Sequence, residues 1–425
     1  MPRQRVRTSS QGDSSRLALL EATLRLASER GYVGTTMAQV KRATGLPASS
    51  VYWHFDNKDD LIAASVAHGF EVWRTQVDPW ATVDPGVTVR DQLLAQLETV
   101  VLAADERLDY WRMGLLLALE TGPAVGSAPR ERFLEIRGVA TTTLATWWRA
   151  ALGVGADESH ADLLARLTLA ALDGLFVARL SDPDEDVRSA LRLLAAGLDA
   201  VAVQLVAGTE PAVAPAERTH RTATDAAPET RDSRLRLLRA AGEVAAESGY
   251  EGASIARICA RAGLPASSLY WHFSDKDDLL AEVVDHSYEE WYAAQPAWSP
   301  VAAGARWTDD LRDHLAQSLG SLVDRPVFMR LGYLLLLLRR ADPPAGRARF
   351  LDVRHRARQG IADWLAAATP HFSEDAEPAS LVLMALSDGL FFSNQLDVPA
   401  WDAPVFGDLV TRLFAAAATP SSPPA

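Results

Sequence analysis

One sentence of the sequence occurs twice. GLPASSVYWHF occupies residues 45–55 and GLPASSLYWHF residues 263–273, so ten of eleven positions agree at a separation of 218. The agreement is not local. Holding that offset pairs Leu17 with Leu235, Gly31 with Gly249, Tyr32 with Tyr250, Gly34 with Gly252, and the run KDDL at 58–61 with 276–279. Farther on, RFLEIR at 132–137 meets RFLDVR at 349–354 and Trp147 meets Trp364, both at offset 217; DGLF at 173–176 meets 388–391 at 215. The repeated unit, roughly two hundred residues, far exceeds the periods of about 20 to 50 residues that build solenoids. The chain must therefore fold as two like domains, and its 425 residues, 48% apolar, suffice for two separate cores. Residues 207–232 between the copies, rich in Pro, Thr, Ala and charge without apolar periodicity, read as a linker.

Each copy reads as all-α. Leu17, Leu20, Leu24 and Ala27 recur at helical spacing, Ser14 or Ser15 offers a cap, and Gly31 suits a left-handed exit. Thr36 followed by Gln39 is a capping box for a short second helix that Gly45 ends. Pro47 opens a third, whose inner face holds Val51 and Phe55. Two short helices joined by a glycine turn predict a helix-turn-helix with the third helix reading. Asp56 or Asn57 caps a fourth helix, and Asp59 and Asp60 favour its positive end, yet Lys58 sets a cation in the same turn, as Lys276 does in the second copy. Local stability predicts no cation there; an external anion such as a DNA phosphate does.

The run GYVGTTMAQVKRATGLPASSVYWHFDNKDDL at 31–61, and its second copy, resemble the DNA-binding domain of the tetracycline-repressor (TetR/AcrR-like) family. The resemblance implies two tandem copies, each an N-terminal three-helix helix-turn-helix domain followed by a helical ligand-binding and dimerisation domain. It implies a double-stranded DNA operator and a small-molecule effector as partners, with no cofactor, metal or catalytic residue. By position it puts Ala48, Ser49 and Ser50 at base edges, Thr36, Tyr52, His54 and Lys58 on phosphates, and Trp53 against the groove. In the second copy the matching residues are Ser254, Ala266, Ser267, Ser268, Tyr270, Trp271, His272 and Lys276. Successive helical residues point about 100° apart, so Tyr52, Trp53 and His54 cannot all join Val51 and Phe55 in one core.

The expected boundaries are 1–62 and 63–206 for the first pair of domains, 207–232 for the linker, 233–280 and 281–418 for the second pair, and 419–425 for a disordered tail. A net charge of −13 argues against a nucleic-acid partner until its distribution is read: residues 1–62 hold nine Lys/Arg against six Asp/Glu. Residues 228–280 hold seven against eight, and Lys41-Arg42 becomes Cys259-Ala260, so the second half-site should be gripped more weakly. The serines offer few donors to base edges, which predicts thin direct readout supplemented by DNA shape. Residues 2–7, with Arg3, Arg5 and Arg7, are a candidate minor-groove arm. The lone Cys259 excludes a disulfide scaffold and reads as a small buried hydrophobe. The densest apolar run, 331–338, is too short to span a bilayer, so a cytoplasmic protein without a membrane partner is expected.

Effector-domain signals are sparser. Trp73, Trp111, Trp147 and Phe176, with Trp291, Met329, Trp364 and Phe391 at corresponding places, are candidate pocket walls. Two function classes follow: a ligand-released repressor, or a helical small-molecule-binding protein or enzyme that has lost its DNA role. No Ser/His/Asp set, HExxH or phosphate-cradling glycine loop supports an enzyme. Finally, the family's dimers pair through two C-terminal helices, with candidates here at 161–180 and 187–206 and at 378–396 and 403–418. A 26-residue linker reaches at most ~85 Å, so the two halves are expected to close on one another as an intramolecular pseudodimer.

Overall fold

The computed structural model describes residues 9–77, 80, 82–102, 109–120, 126–153, 155, 157–209, 211, 232–323, 326–340, 342–396 and 399–418. The arm at 2–7, most of the linker and the tail at 419–425 lie outside them. Among the described residues all regular structure is helical. The first half runs α1 (Ser9–Gly34), α2 (Met37–Thr44), α3 (Ala48–His54), α4 (Lys58–Val77), α5 (Val89–Leu102), α6 (Asp109–Leu119), α7 (Ser127–Leu152), α8 (Glu158–Ser181) and α9 (Arg188–Val206). The second repeats it as α10 (Ser233–Gly252), α11 (Ile255–Ala262), α12 (Ala266–His272), α13 (Lys276–Ala293), α14 (Trp307–Val323), α15 (Val327–Leu337), α16 (Ala345–Ala368), α17 (Ala376–Leu396) and α18 (Ala403–Ala417), adding a 3₁₀ turn at Pro370–Phe372.

Local chemistry accounts for the short helices. Thr36 caps α2 by accepting from the Gln39 N–H while the Gln39 side chain takes the Thr36 N–H at 2.8 Å; Gly45 ends it at φ +67°. Asn57 caps α4, accepting from the Asp60 N–H at 2.9 Å. Ser14 and Ser15 do not cap α1, because the helix starts by Ser9. Leu17 is 43% exposed, since Leu19 and Leu20 together fill the layer it was expected to enter. Gly31 and Gly249 break α1 and α10 with φ near +70° and ψ near 180°, a conformation open to glycine alone.

Seven residues, among them Leu19, Val40, Val51 and Phe55, form a small core belonging to the first helix-turn-helix. Most of the remaining buried apolar residues form one cluster continuous across both halves. That continuity runs through α8 packed on α17 and α9 packed on α18. The packing is reciprocal. A Cβ on Gly174 would overlap the backbone of Ala385, and one on Gly389 would overlap that of Ala170, with each pair of partners at offset 215. Arg112 donates to the Leu337 carbonyl at 2.9 Å and Arg330 to that of Leu119; Arg347 donates to the Leu180 carbonyl at 3.3 Å and Arg130 to that of Gln395. Residue i meeting j while j's counterpart meets i's is the signature of a twofold interface, here within one polypeptide. Helix α9 is long and apolar enough to cross a membrane, and half of it is buried, against α5, α17 and α18.

Candidate nucleic-acid interface and ligand cavities

On α3 the side chains divide as the 100° step requires. Val51 and Phe55 are buried, whereas Tyr52 is 59% and Trp53 71% exposed; Tyr270 and Trp271 on α12 are 59% and 84% exposed. Ala48, Ser49, Ala266 and Ser267 are exposed at the starts of the same helices, and the caps Thr36 and Ser254 are exposed beside them. Other expected contacts are less accessible. Ser50 is buried, its position in the helix turning it inward beside Val51, and Ser268 is half-buried. His54 and His272 are also half-buried, with His272 bonded at 2.7 Å to Ser233 at the start of α10.

Lys58 has an internal partner that its sequence neighbours did not disclose. Its Nζ donates at 2.9 Å to the Tyr32 carbonyl, 26 residues earlier, and lies 3.7 Å from the centre of the Tyr32 ring. Lys276 repeats this on Tyr250 at 3.2 and 4.1 Å. The cation in the first turn of α4 thus has a partner inside the fold, at a carbonyl that also accepts the Thr35 N–H at 3.2 Å. Burial lowers the Lys58 pKa against the pull of Asp59 and Glu120. Tyr32 in turn donates to Asp59, and burial followed by that bond pushes its hydroxyl up to about 12. Behind it Glu120 accepts the Tyr32 N–H at 2.7 Å, and its carboxylate lies against both Gly31 and Gly249, where any Cβ would collide with it. Burial pushes Glu120 up to about 7, with the Tyr32 N–H and Lys58 opposing.

The two helix-turn-helix domains differ in available charge. Lys41 and Arg42 are exposed on α2, whereas Cys259 at the matching place on α11 is buried. Nearby, Arg261 is held by Glu243 and Glu247 at 3.0 and 2.8 Å, and Arg257 by the Gly252 carbonyl.

Helices α4–α8 line a cavity of about 250 Å³ in the first half, and α13–α17 one of about 460 Å³ in the second. Trp73 and Trp111 line the first, and Trp291 and Met329 the second. The other expected wall residues do other work. Trp147 stacks edge-on with Trp80 and Trp148, Phe176 lies flat on Trp111, Trp364 packs on Trp298 and donates to the Ser299 carbonyl, and Phe391 packs on Tyr333. One Asp–Arg pair is repeated in the two halves. Asp173 accepts from Trp111 Nε1 and Arg137, both at 2.7 Å; Asp388 accepts from Tyr333 at 2.5 Å and from Arg354 at 2.9 and 2.6 Å. The signal lay in the duplicated DGLF and RFLEIR runs. In the second cavity His314 stacks at 3.5 Å on Trp298, and burial pushes its pKa down to about 4, so the ring is neutral at physiological pH. Among the described residues no group of three His, Cys, Asp or Glu is placed to hold a metal.

Comparison with known proteins agrees with this geometry. The N-terminal domain model described as "Bacterial regulatory proteins, tetR family" matches twice, over residues 19–65 and 237–283. The regulator AcrR of Shigella flexneri is 26% identical over 112 residues, 24% of this chain and 49% of that protein. The regulator TtgR of Pseudomonas putida is 30% identical over 104 residues, 24% of this chain and 50% of that one. The chain thus spans about half the length of the curated relatives it matches. A solved transcriptional regulator from Rhodococcus sp. Rha1 aligns with 43% of this chain and 95% of its own, at 25% identity and a TM-score of 0.35.

Proposed function

We propose that this chain, a TetR-like protein carrying two tetR-family N-terminal domains in tandem, is a transcriptional repressor that grips one operator with both of its helix-turn-helix domains and releases it on binding a small molecule. The observation that carries this reading is the outward presentation of Tyr52 and Trp53 on α3 and of Tyr270 and Trp271 on α12, with α2 and α11 capped beside them. Paired large aromatics left in water on one helix mark an interaction surface, and on a nucleic acid they would pack along its sugar–phosphate backbone.

One polypeptide would occupy one pseudopalindromic site. Support comes from the reciprocal contacts of α8 with α17 and α9 with α18, which occupy within the chain the surfaces a second chain would need. The two half-sites would be held unequally, because α2 presents Lys41 and Arg42 where α11 buries Cys259. The effector reading favours the second half. Its cavity is the larger, and it joins an aromatic wall to the neutral His314 imidazole, an environment suited to an uncharged planar molecule with one polar group.

The test is selection of bound genomic fragments, followed by affinity measurement on one of them at several salt concentrations. Affinity should fall linearly with log salt, and Trp53→Ala and Trp271→Ala should each weaken it at least about tenfold. Lys58→Ala should flatten the salt slope by about one phosphate only if DNA draws its Nζ from the Tyr32 carbonyl. Absence of salt-sensitive binding to every fragment would overturn the reading.

A further inference from the structure

A cavity of about 920 Å³ opens between the halves, where α1, α6 and α8 meet α10, α15 and α16. Six arginines line it, Arg30, Arg112, Arg179, Arg339, Arg340 and Arg347, against the four carboxylates Glu29, Asp109, Glu251 and Asp342. Asp109 is paired with Arg339 at 3.3 Å and Glu251 with Arg340 at 2.9 Å. Arg112 and Arg347 donate instead to the Leu337 and Leu180 carbonyls, which engages one nitrogen of each without cancelling its charge. The crowding is felt at Arg112, whose guanidinium is pushed down to about 10 by burial, with Asp109 opposing and Arg339 and Arg347 adding to the push.

The duplication separates the arginines the fold needs from those it does not. Arg112 and Arg347 have counterparts in Arg330 and Arg130, and all four tie the halves together through helix-end carbonyls. Arg30 and Arg179 correspond to Ser248 and Asn394, so the same architecture is built on the other side without a guanidinium at either place. The shared architecture therefore requires neither guanidinium, although Arg179 donates to the Pro183 carbonyl at 3.2 Å, and both line the cleft on one face only.

We propose that this cleft is an anion-binding regulatory site, distinct from the cavities inside the effector domains, which takes a small organic molecule bearing two or more phosphate or carboxylate charges. Guanidinium forks hold such oxygens in pairs, and the excess of two positive charges sets the ligand's charge. Phe176, Leu336 and Leu338 supply an apolar wall for its uncharged part. The regulatory half of the proposal rests on the DNA-binding reading. Glu29 and Arg30 sit near the end of α1 and Glu251 near the end of α10, so an occupant bridging them fixes the spacing of α3 and α12.

Calorimetric titration of the full chain with inorganic tripolyphosphate and, separately, citrate, at ionic strength held constant with KCl, tests the site without DNA. At least one anion should bind saturably at one site per chain, with affinity at least tenfold weaker in the double variant Arg30→Ser, Arg179→Asn and unchanged in Arg25→Ser. The double variant carries the residues of the other half, and an unfolding midpoint matching the parent's checks that it folds. No saturable binding of either anion, or equal affinity in the double variant, overturns the site. A second arm measures binding to a selected DNA fragment with and without the anion. A shift in the parent that vanishes in the double variant supports regulation; an unchanged affinity in the parent overturns the regulatory half alone.

Discussion

Glu120 is a carboxyl group whose ionisation the fold resists. It is buried, touches the broken ends of both α1 and α10, and stands where the second half has Leu338. Its pKa is raised to about 7 in the folded chain, above the ordinary carboxylate value of 4.5. Between those values the folded state holds a proton that the unfolded state has released, so stability falls as pH rises from about 4.5 to 7 and is level above. Glu120→Gln keeps an acceptor for the Tyr32 N–H and removes the titration. The variant should match the parent near pH 4.5 and exceed it at pH 8 by up to about 3 kcal/mol. Denaturant unfolding of both proteins across that range is the check, and parallel pH profiles would refute the assignment. Lys58 marks the limit of residue-level reading from sequence. Its place in a helix's first turn was legible as an anomaly, but its partner, the Tyr32 carbonyl near the end of α1, was not, because the contact spans 26 residues of chain.

At the scale of elements the sequence was more generous. The C-terminal helices expected at 161–180, 187–206, 378–396 and 403–418 stand as α8, α9, α17 and α18 with ends displaced by a few residues, because helical period and punctuation are local properties. Which aromatic borders a cavity was not legible. Trp147 and Trp111 carry the same inward signal, yet Trp148 and Trp80 close over the first while open space remains beside the second. Period alone reports the direction of a side chain, and its neighbours decide whether a void is left. The crossing of α8 and α17 yields the next prediction. Gly174 faces the Ala385 backbone with no room for a methyl group, so Gly174→Ala should lower unfolding free energy by roughly 1 to 3 kcal/mol and enlarge the radius of gyration as the helices part. Gly360→Ala, at a helical site with nothing within 4 Å, should instead stabilise by about 0.5–1 kcal/mol. Thermal unfolding with small-angle scattering reads both, and a neutral Gly174→Ala would show that the crossing is looser than described.

For the whole molecule, the proposed closure of both halves within one chain changes the order of the reaction that assembles them. A dimer of separate chains gains stability with concentration, whereas a tethered pair does not. The unfolding midpoint should therefore stay constant over a hundredfold range of protein concentration, and native mass spectrometry should find one polypeptide on a minimal operator. A midpoint that climbs with concentration, or two polypeptides on that operator, would count against a pairing closed within the chain. The reciprocal contact between Gly174 and Ala385 has a further consequence, in time. The partners lie about 210 residues apart, and at ribosomal speeds of about 5–20 residues per second the first half waits roughly 10 to 40 s before its mate emerges. During that interval the apolar faces of α8 and α9 are bare on the nascent chain, and two neighbouring ribosomes on one message hold two such faces close together. Slow translation of the second half would then favour cross-paired chains joined first half to first half, so codon usage beyond residue 232 bears on the yield of correctly closed protein.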